Sequence, residues 1–368
     1  MAPLPLPRHP WAARRALPLC GMVALCFVAA LCFAAALFSV ALYPVALHGA
    51  EPTGKLKEVL ERGQLYCGVN GKLSGFGFMD PQGNMVGFDV DICRAVAAAL
   101  FDDPAKVRFT PLSAPQRFTA LQSGEIDLLS RNTTWTISRD SRVGLDFAPV
   151  VFYDGQGIMV KRELGVSSVS ELDGASICVQ TGTTTEKNLT DYFRNRGIAF
   201  NPVISQDYAT SVDGFIKDRC DAFTTDRSGL LATKIKYPEL ADAVILEEVM
   251  SKEPLAPAVV QGESQWRDAV AWIVFGLIQA EELGVTRENI QRMSGSTDLN
   301  VRRLLGIEDT FGEDLGLSND FLARTIRHVG NYGEIYERHL GMDSPFKLPR
   351  GLNDLWSRGG LMYAPPFR

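Results

Sequence analysis

Three short stretches hold the side chains that could do chemistry. The run Arg131-Asn132-Thr133-Thr134-Trp135-Thr136-Ile137-Ser138-Arg139-Asp140 directly follows a strand-like segment at 126–130. Its hydroxyls and amide can hydrogen-bond at a strand end, and the fork of Arg139 can grip a carboxylate through two parallel bonds. Gln180-Thr181-Gly182-Thr183-Thr184-Thr185-Glu186 follows a second strand-like segment at 177–179 and opens a helix reaching about residue 196. Thr183 and Glu186 match a capping box there. The free N–H groups of Gly182, Thr183 and Thr184, together with the helix dipole, favour an anion. Asp226 ends a third strand-like run at 220–225, where a carboxylate facing a cleft would take an ammonium group. Plainer readings exist for each: an exposed Arg after a capped turn, a helix cap alone, and an N-cap for a helix over 227–234. Taken together, Arg139, the amides of residues 182–184 and Asp226 form a carboxylate clamp with an ammonium acceptor. That set fits the zwitterion of an α-amino acid.

Phe76 and Phe78 lie in a glycine-rich loop at 71–77, where they would pack on a ligand side chain or, equally in character, join the core. Other chemistries find no support. His9, His48, His328 and His339 all fall outside these motifs, so no Ser/His or Cys/His nucleophile pair can be assembled. No His/Cys/Asp group has metal-ligand spacing, and no cofactor is expected. The absence of a GxxxxGK[ST] loop argues against nucleotide phosphate.

The elements that must position these residues come in pairs. A helix at 116–123, a turn at Gly124 and the strand 126–130 are echoed by a helix at 211–217, a turn at Asp218-Arg219 and the strand 220–225. Each fits a β-α-β layout, in which ligands gather beyond the C-terminal ends of parallel strands. The repetition predicts two similar α/β lobes facing one cleft, a common home for small-molecule sites. The first lobe is placed at 51–160, the second at 161–255, and 256–368 returns to the first lobe and adds a C-terminal extension. Crossing segments are expected at 161–170 and in the proline-rich stretch 253–257. A helix over 264–282 should pack back on the first lobe.

Charge separates the chain into unlike parts. Residues 1–50 contain Arg8, Arg14 and Arg15 and no acidic residue, and residues 16–47 carry no charge. A basic start followed by an apolar run reads as an export signal, and its length permits an uncleaved membrane anchor. The positive-inside rule then places the rest outside the cytoplasm. Beyond residue 50 the chain holds 34 basic and 43 acidic residues, a balance unsuited to gripping nucleic acid. That part also contains four of the seven cysteines, Cys67, Cys93, Cys178 and Cys220. An even number in an exported chain suggests two disulfides, with three possible pairings; four buried thiols are the alternative.

The order of motifs resembles the family 3 extracellular solute-binding proteins, and more narrowly their general L-amino-acid-binding type. The resemblance spans about residues 52–368 and rests on GFDVDICRAVAAALF, RFTALQSGEIDLLSRNTTWTISRD, FYDGQGIMV, CVQTGTTTE, RCDAFTTD and the tail VGNYGEIYERHLG…RGLNDLW…GGLMYAPPFR. It implies a two-lobed periplasmic-binding-protein type II fold of α/β class with a hinge between lobes. It also implies that Arg139 holds a ligand α-carboxylate, helped by Thr133, Thr134 and the amides of Gly182, Thr183 and Thr184. Asp226 would take the α-ammonium and Phe76 would line the pocket. Asn70 stands where binders of acidic amino acids in this family carry an Arg, which suits broader specificity. The cysteines would pair within lobes, Cys178 with Cys220 and Cys67 with Cys93. The implied protein is no enzyme but a monomeric periplasmic component of an ABC transporter. It would capture free L-amino acids and deliver them to a membrane permease. A dehydratase acting on an amino-acid-like cyclic acid is the rival on the same fold. Such an enzyme needs a general acid at the cleft centre, and no Glu or His is placed there by the motifs. A membrane-tethered amino-acid sensor domain is a third reading.

Overall fold

A computed structural model describes residues 49–368. All but the last two residues of the expected export segment therefore lie outside the described residues, as do Cys20, Cys26, Cys32, His9 and His48. Among the described residues, no helix is long and apolar enough to cross a membrane.

Two five-stranded sheets form the framework. In the first, the strand Leu65–Val69 pairs in parallel with Val107–Pro111 on one side and Leu128–Leu129 on the other. Ala258–Val260 then runs antiparallel beside Leu128–Leu129 and continues to Leu145–Phe147. In the second, Ser176–Gln180 holds the same central place, parallel to Asn201–Ser205 and Ala222–Asp226. Gln156–Val160 runs antiparallel to Ala222–Asp226 and pairs onward with Val244–Ile245. The central strands (LYCGV, SICVQ) are largely buried, as strands covered on both faces by helices must be. Each sheet has its own apolar core and its own disulfide, Cys67–Cys93 in the first lobe and Cys178–Cys220 in the second.

Between the sheets, Phe152–Asp154 and Glu253–Leu255 form a separate two-stranded antiparallel ribbon, and these are the two crossings. The expected first crossing at 161–170, and with it the boundary at residue 160, is corrected. Gln156–Val160 is wholly buried inside the second sheet, so the second lobe already includes Gln156. An apolar run of this kind fits either sheet by pattern alone. Its register with Ala222–Asp226 decides the matter.

The C-terminal part belongs to the first lobe. Helices Ser264–Glu282, Phe321–Val329 and Tyr332–His339 share one core with Phe88–Phe101. The buried Trp266 indole donates to the Asp127 carbonyl at 2.9 Å, which fixes the long helix against the first sheet.

Candidate functional site

The strand ends of the two sheets converge on one narrow cleft. Asn70, Leu73, Arg117, Arg131, Asn132 and Thr134 line it from the first lobe. Facing them are residues of the second lobe, among them Gln180, Thr184, Tyr208 and Asp226. The lobes touch across it: the hydroxyls of Thr134 and Thr184 stand 3.3 Å apart.

On the second lobe, Thr183 caps the helix Thr184–Arg196 by accepting from the Glu186 N–H at 3.2 Å. Glu186 does not close the capping box. Its carboxylate instead accepts from the Gly182 N–H at 3.0 Å and from the Thr181 hydroxyl at 3.2 Å. Gly182 is exposed, with φ +74 that suits glycine, and lies against Pro115. Its amide is thus spent on Glu186, and the expectation that it would hold a ligand carboxylate is corrected. The next helical N–H groups, those of Thr184 and Thr185, lack intrahelical carbonyls by geometry and lie at the cleft.

Asp226 occupies the cap position of the helix Arg227–Lys236, yet its side chain makes no cap hydrogen bond. The carboxylate turns into the cleft and is 7% exposed. Burial drives its proton affinity well above the ordinary carboxylate range, and the neighbouring charges of Asp154 and Glu253 add to this, against Arg117 and Arg139. Asp154, at the end of the first crossing, is pushed up to about 6 by burial.

The first lobe answers with three buried arginines, Arg117, Arg131 and Arg139. Arg131 Nε donates to the Leu112 carbonyl at 2.7 Å, and Arg139 Nη1 to the Thr134 carbonyl at 2.8 Å. Burial lowers both to about 10, and they remain charged at neutral pH. Arg117 is lowered further, first by burial and then by its two cationic neighbours. Among the described residues its buried Nε finds no hydrogen-bond partner. Three guanidinium groups held this close, one with an unused donor, make a receptor for a carboxylate. Asp89 supports the loop that carries them. Its buried carboxyl accepts from the Asn132 N–H at 2.8 Å, and burial pushes it up to about 6.

The sequence-named residues therefore separate. Asn70, Thr134, Thr183, Thr184 and Asp226 line the cleft, Asn70 Nδ2 donating to Asn132 Oδ1 at 3.0 Å. Arg139 stands one layer behind, facing the charges of Glu253 and Asp226, so it is not the exposed arginine of the plainer reading. Thr133 is buried beside Arg117, its hydroxyl donating to the Arg131 carbonyl at 2.9 Å. Phe76 is corrected: it is 1% exposed and packs edge-on against Phe88 and Phe152 at 6.2 and 5.2 Å. Leu73, on the strand Lys72–Leu73 of the same glycine-rich segment, meets the cleft instead.

Arg117, Leu73 and Tyr208 were not singled out by motif, and Arg131 opens the first stretch without a role there. Arg117 carried a signal, being a charged residue on a helix otherwise patterned for burial, RFTALQ. Glu253 was also missed. It is fully buried behind the cleft-lining Thr134 and Thr184, and four donors occupy its carboxylate. So engaged, it is an acceptor rather than a general acid.

Two lobes on separate sheets, joined by two crossings and meeting at a charged cleft, define the periplasmic-binding-protein type II architecture. The chain belongs to the bacterial extracellular solute-binding proteins, family 3, whose family model matches residues 65–290. It is 53% identical over 315 residues to the general L-amino acid-binding periplasmic protein AapJ of Rhizobium johnstonii, covering 85% of this chain and 92% of that one. It is 50% identical over 331 residues to the glutamate/glutamine/aspartate/asparagine-binding protein BztA of Rhodobacter capsulatus, covering 90% and 98%. Among solved structures, an ABC transporter periplasmic binding protein from Brucella ovis with glutathione bound matches with a TM-score of 0.84 at 50% identity, over 86% of this chain and 100% of that one. The relatives AapJ and BztA are named as binding proteins, not enzymes.

Proposed function

We propose that this chain is the periplasmic substrate-binding component of an ABC transporter. It captures free L-amino acids of several side-chain types and, on lobe closure, delivers them to a membrane permease. The observation that carries this reading is the division of charge across one cleft: buried guanidinium groups on the first lobe and the Asp226 carboxylate on the second. A zwitterion satisfies both halves at once, with its α-carboxylate toward Arg117, Arg131 and Arg139 and its α-ammonium toward Asp226. The names of AapJ and BztA support the same ligand class. Asn70 places no cation where the ligand side chain leaves, which suits breadth rather than acidic ligands alone. The protein acts as a monomer outside the cytoplasmic membrane, with residues 1–50 directing export and, if uncleaved, tethering it.

A thermal-shift and calorimetric screen of the purified protein against all proteinogenic L-amino acids tests the reading. Stabilisation by acidic, neutral and basic members supports it; stabilisation by one alone, or by none, overturns it. Glutathione belongs in the same screen. Its γ-glutamyl end carries the same α-amino acid zwitterion, and the Brucella ovis protein was solved with it bound.

A further inference from the structure

We propose that Glu253 is the clasp of the closed cleft: a positioning residue whose single carboxylate takes donors from both lobes at once. It opens the crossing strand Glu253–Leu255, belongs to neither large sheet, and is 0% exposed. Its Oε2 accepts from Thr134 Oγ1 of the first lobe at 2.6 Å and from Thr184 Oγ1 of the second at 2.8 Å. Its Oε1 accepts from Asn188 Nδ2, again of the second lobe, at 2.7 Å, and from Ser251 Oγ of the crossing at 2.6 Å. A carboxylate offers about four lone-pair sites, and all are used. Arg139 and Arg117 lie within its field and offset the buried charge.

The inference rests on the reading of the cleft as an amino-acid site that opens and closes. Thr134 and Thr184 ride on different lobes, so any motion that parts them breaks at least one bond to Oε2 and returns the carboxylate to water. Closure restores both. A buried carboxylate left short of donors is costly, so the clasp favours closure only when every donor is in place. A second consequence concerns polarity. Both threonine hydroxyls give their protons to Glu253, so they turn lone pairs toward the cleft. They can accept from a ligand ammonium but cannot donate to its carboxylate, which places them on the Asp226 side of the ligand.

The test compares the wild type with Glu253→Gln, Thr184→Val, Asn188→Ala and the Glu253→Gln/Thr184→Val double variant. Lobe separation is read by paired spin labels, one per lobe, without amino acid. Association and dissociation rates are then measured for L-glutamine. A lost charge-assisted bond predicts dissociation about ten- to a hundredfold faster in Glu253→Gln, with association little changed, and a ligand-free population shifted toward open. Thr184→Val and Asn188→Ala should move both readouts the same way by less, and the double variant should fall short of the sum of its singles. Unchanged lobe separation and dissociation in a folded Glu253→Gln protein would overturn the clasp. Should Glu253→Gln fail to fold, the Thr184→Val and Asn188→Ala proteins, which keep the carboxylate, decide by the same two readouts. Should the wild type bind no amino acid, the reading of function falls, while the ligand-free lobe separations still judge the clasp.

Discussion

The two lobes are built alike and armed differently. Each centres on a buried strand with parallel neighbours on both sides, and each carries one disulfide. The first lobe then brings Arg117 and Arg131 to the cleft with Arg139 buried behind it, whereas the second brings Asp226, threonine hydroxyls and a helix N-terminus. Neither half suffices alone. The arginines crowd one another, which shows in the lowering of Arg117 by Arg139 and Arg131 after burial itself. Asp226 is likewise driven to keep its proton. A ligand with separated positive and negative groups relieves both strains together, so the charge asymmetry is itself a reason to close. The lobes differ in mass as well. The C-terminal helices enlarge the first core and leave the second to its own residues.

That last contrast gives the largest expected effect. The disulfides close loops with sequence separations of 26 in the first lobe and 42 in the second. On the chain-entropy account, Cys178→Ser/Cys220→Ser should cost about 4 kcal/mol and Cys67→Ser/Cys93→Ser about 3.5 kcal/mol. The second lobe, lacking the extension, should unfold first in its variant. Calorimetry would show a separate low-temperature transition there, and a single unshifted transition would refute the contrast.

The charge asymmetry is broken most directly by Arg139→Ala. Removing one partner of a buried charge pair costs about 2–5 kcal/mol, so L-glutamine affinity should fall at least thirtyfold while the variant stays folded. Unchanged affinity by calorimetry would remove Arg139 from the carboxylate clamp.

Asp226→Asn should cost about ten- to a hundredfold in affinity and, more tellingly, change the pH profile. Burial raises Asp226 above its unfolded value, so the ligand-free folded state binds the extra proton. An arriving ammonium favours the charged form and expels that proton. Affinity should therefore fall as the pH drops, and binding heat should depend on the buffer's ionisation enthalpy. Both features should vanish in Asp226→Asn. The same sign governs stability: Asp89 and Asp154, each pushed up to about 6, bind more protons folded than unfolded. Their contribution to stability is present below the usual carboxylate range and is lost as the pH rises through about 6.

The paired helix–turn–strand units made the two lobes legible, and strand-end position brought Asp226 and Thr184 to the cleft. What escaped had a common cause: partners distant in sequence. In the loop after Leu65–Val69, no repeat period says which apolar side chain faces inward, so Leu73 takes the place at the cleft expected of Phe76. Gln156–Val160 looks the same whichever sheet it joins. Arg117 and Arg131 carry no assigned role until their burial beside each other and the charge of Asp226 are seen. Glu253, inside Lys252-Glu253-Pro254, gave no hint that donors as far away as Thr134 converge on it.

The smallest predicted effect probes how the first lobe holds the crossing. In the ribbon, Tyr153 lies opposite Pro254, which has no N–H to offer. Tyr153 turns its own main chain the other way, toward Asn353 of the C-terminal extension. Its N–H donates to Asn353 Oδ1 at 2.6 Å, and its carbonyl accepts from Asn353 Nδ2 at 3.1 Å. Asn353 thus acts as one residue of a third strand, held in turn by the Arg350 side chain donating to its carbonyl at 2.9 Å. The second lobe holds the other crossing strand through side chains alone, Thr184 and Asn188 donating to the Glu253 carboxylate. Asn353→Ala leaves two main-chain groups without that partner and should cost about 1–2 kcal/mol of stability. L-glutamine affinity should drop less than in any variant above, because no cleft group is lost. Faster hydrogen exchange at the Tyr153 amide would locate the loss. If that amide kept its protection while the melting temperature fell, the extension would be stabilising the first core generally, not anchoring the crossing.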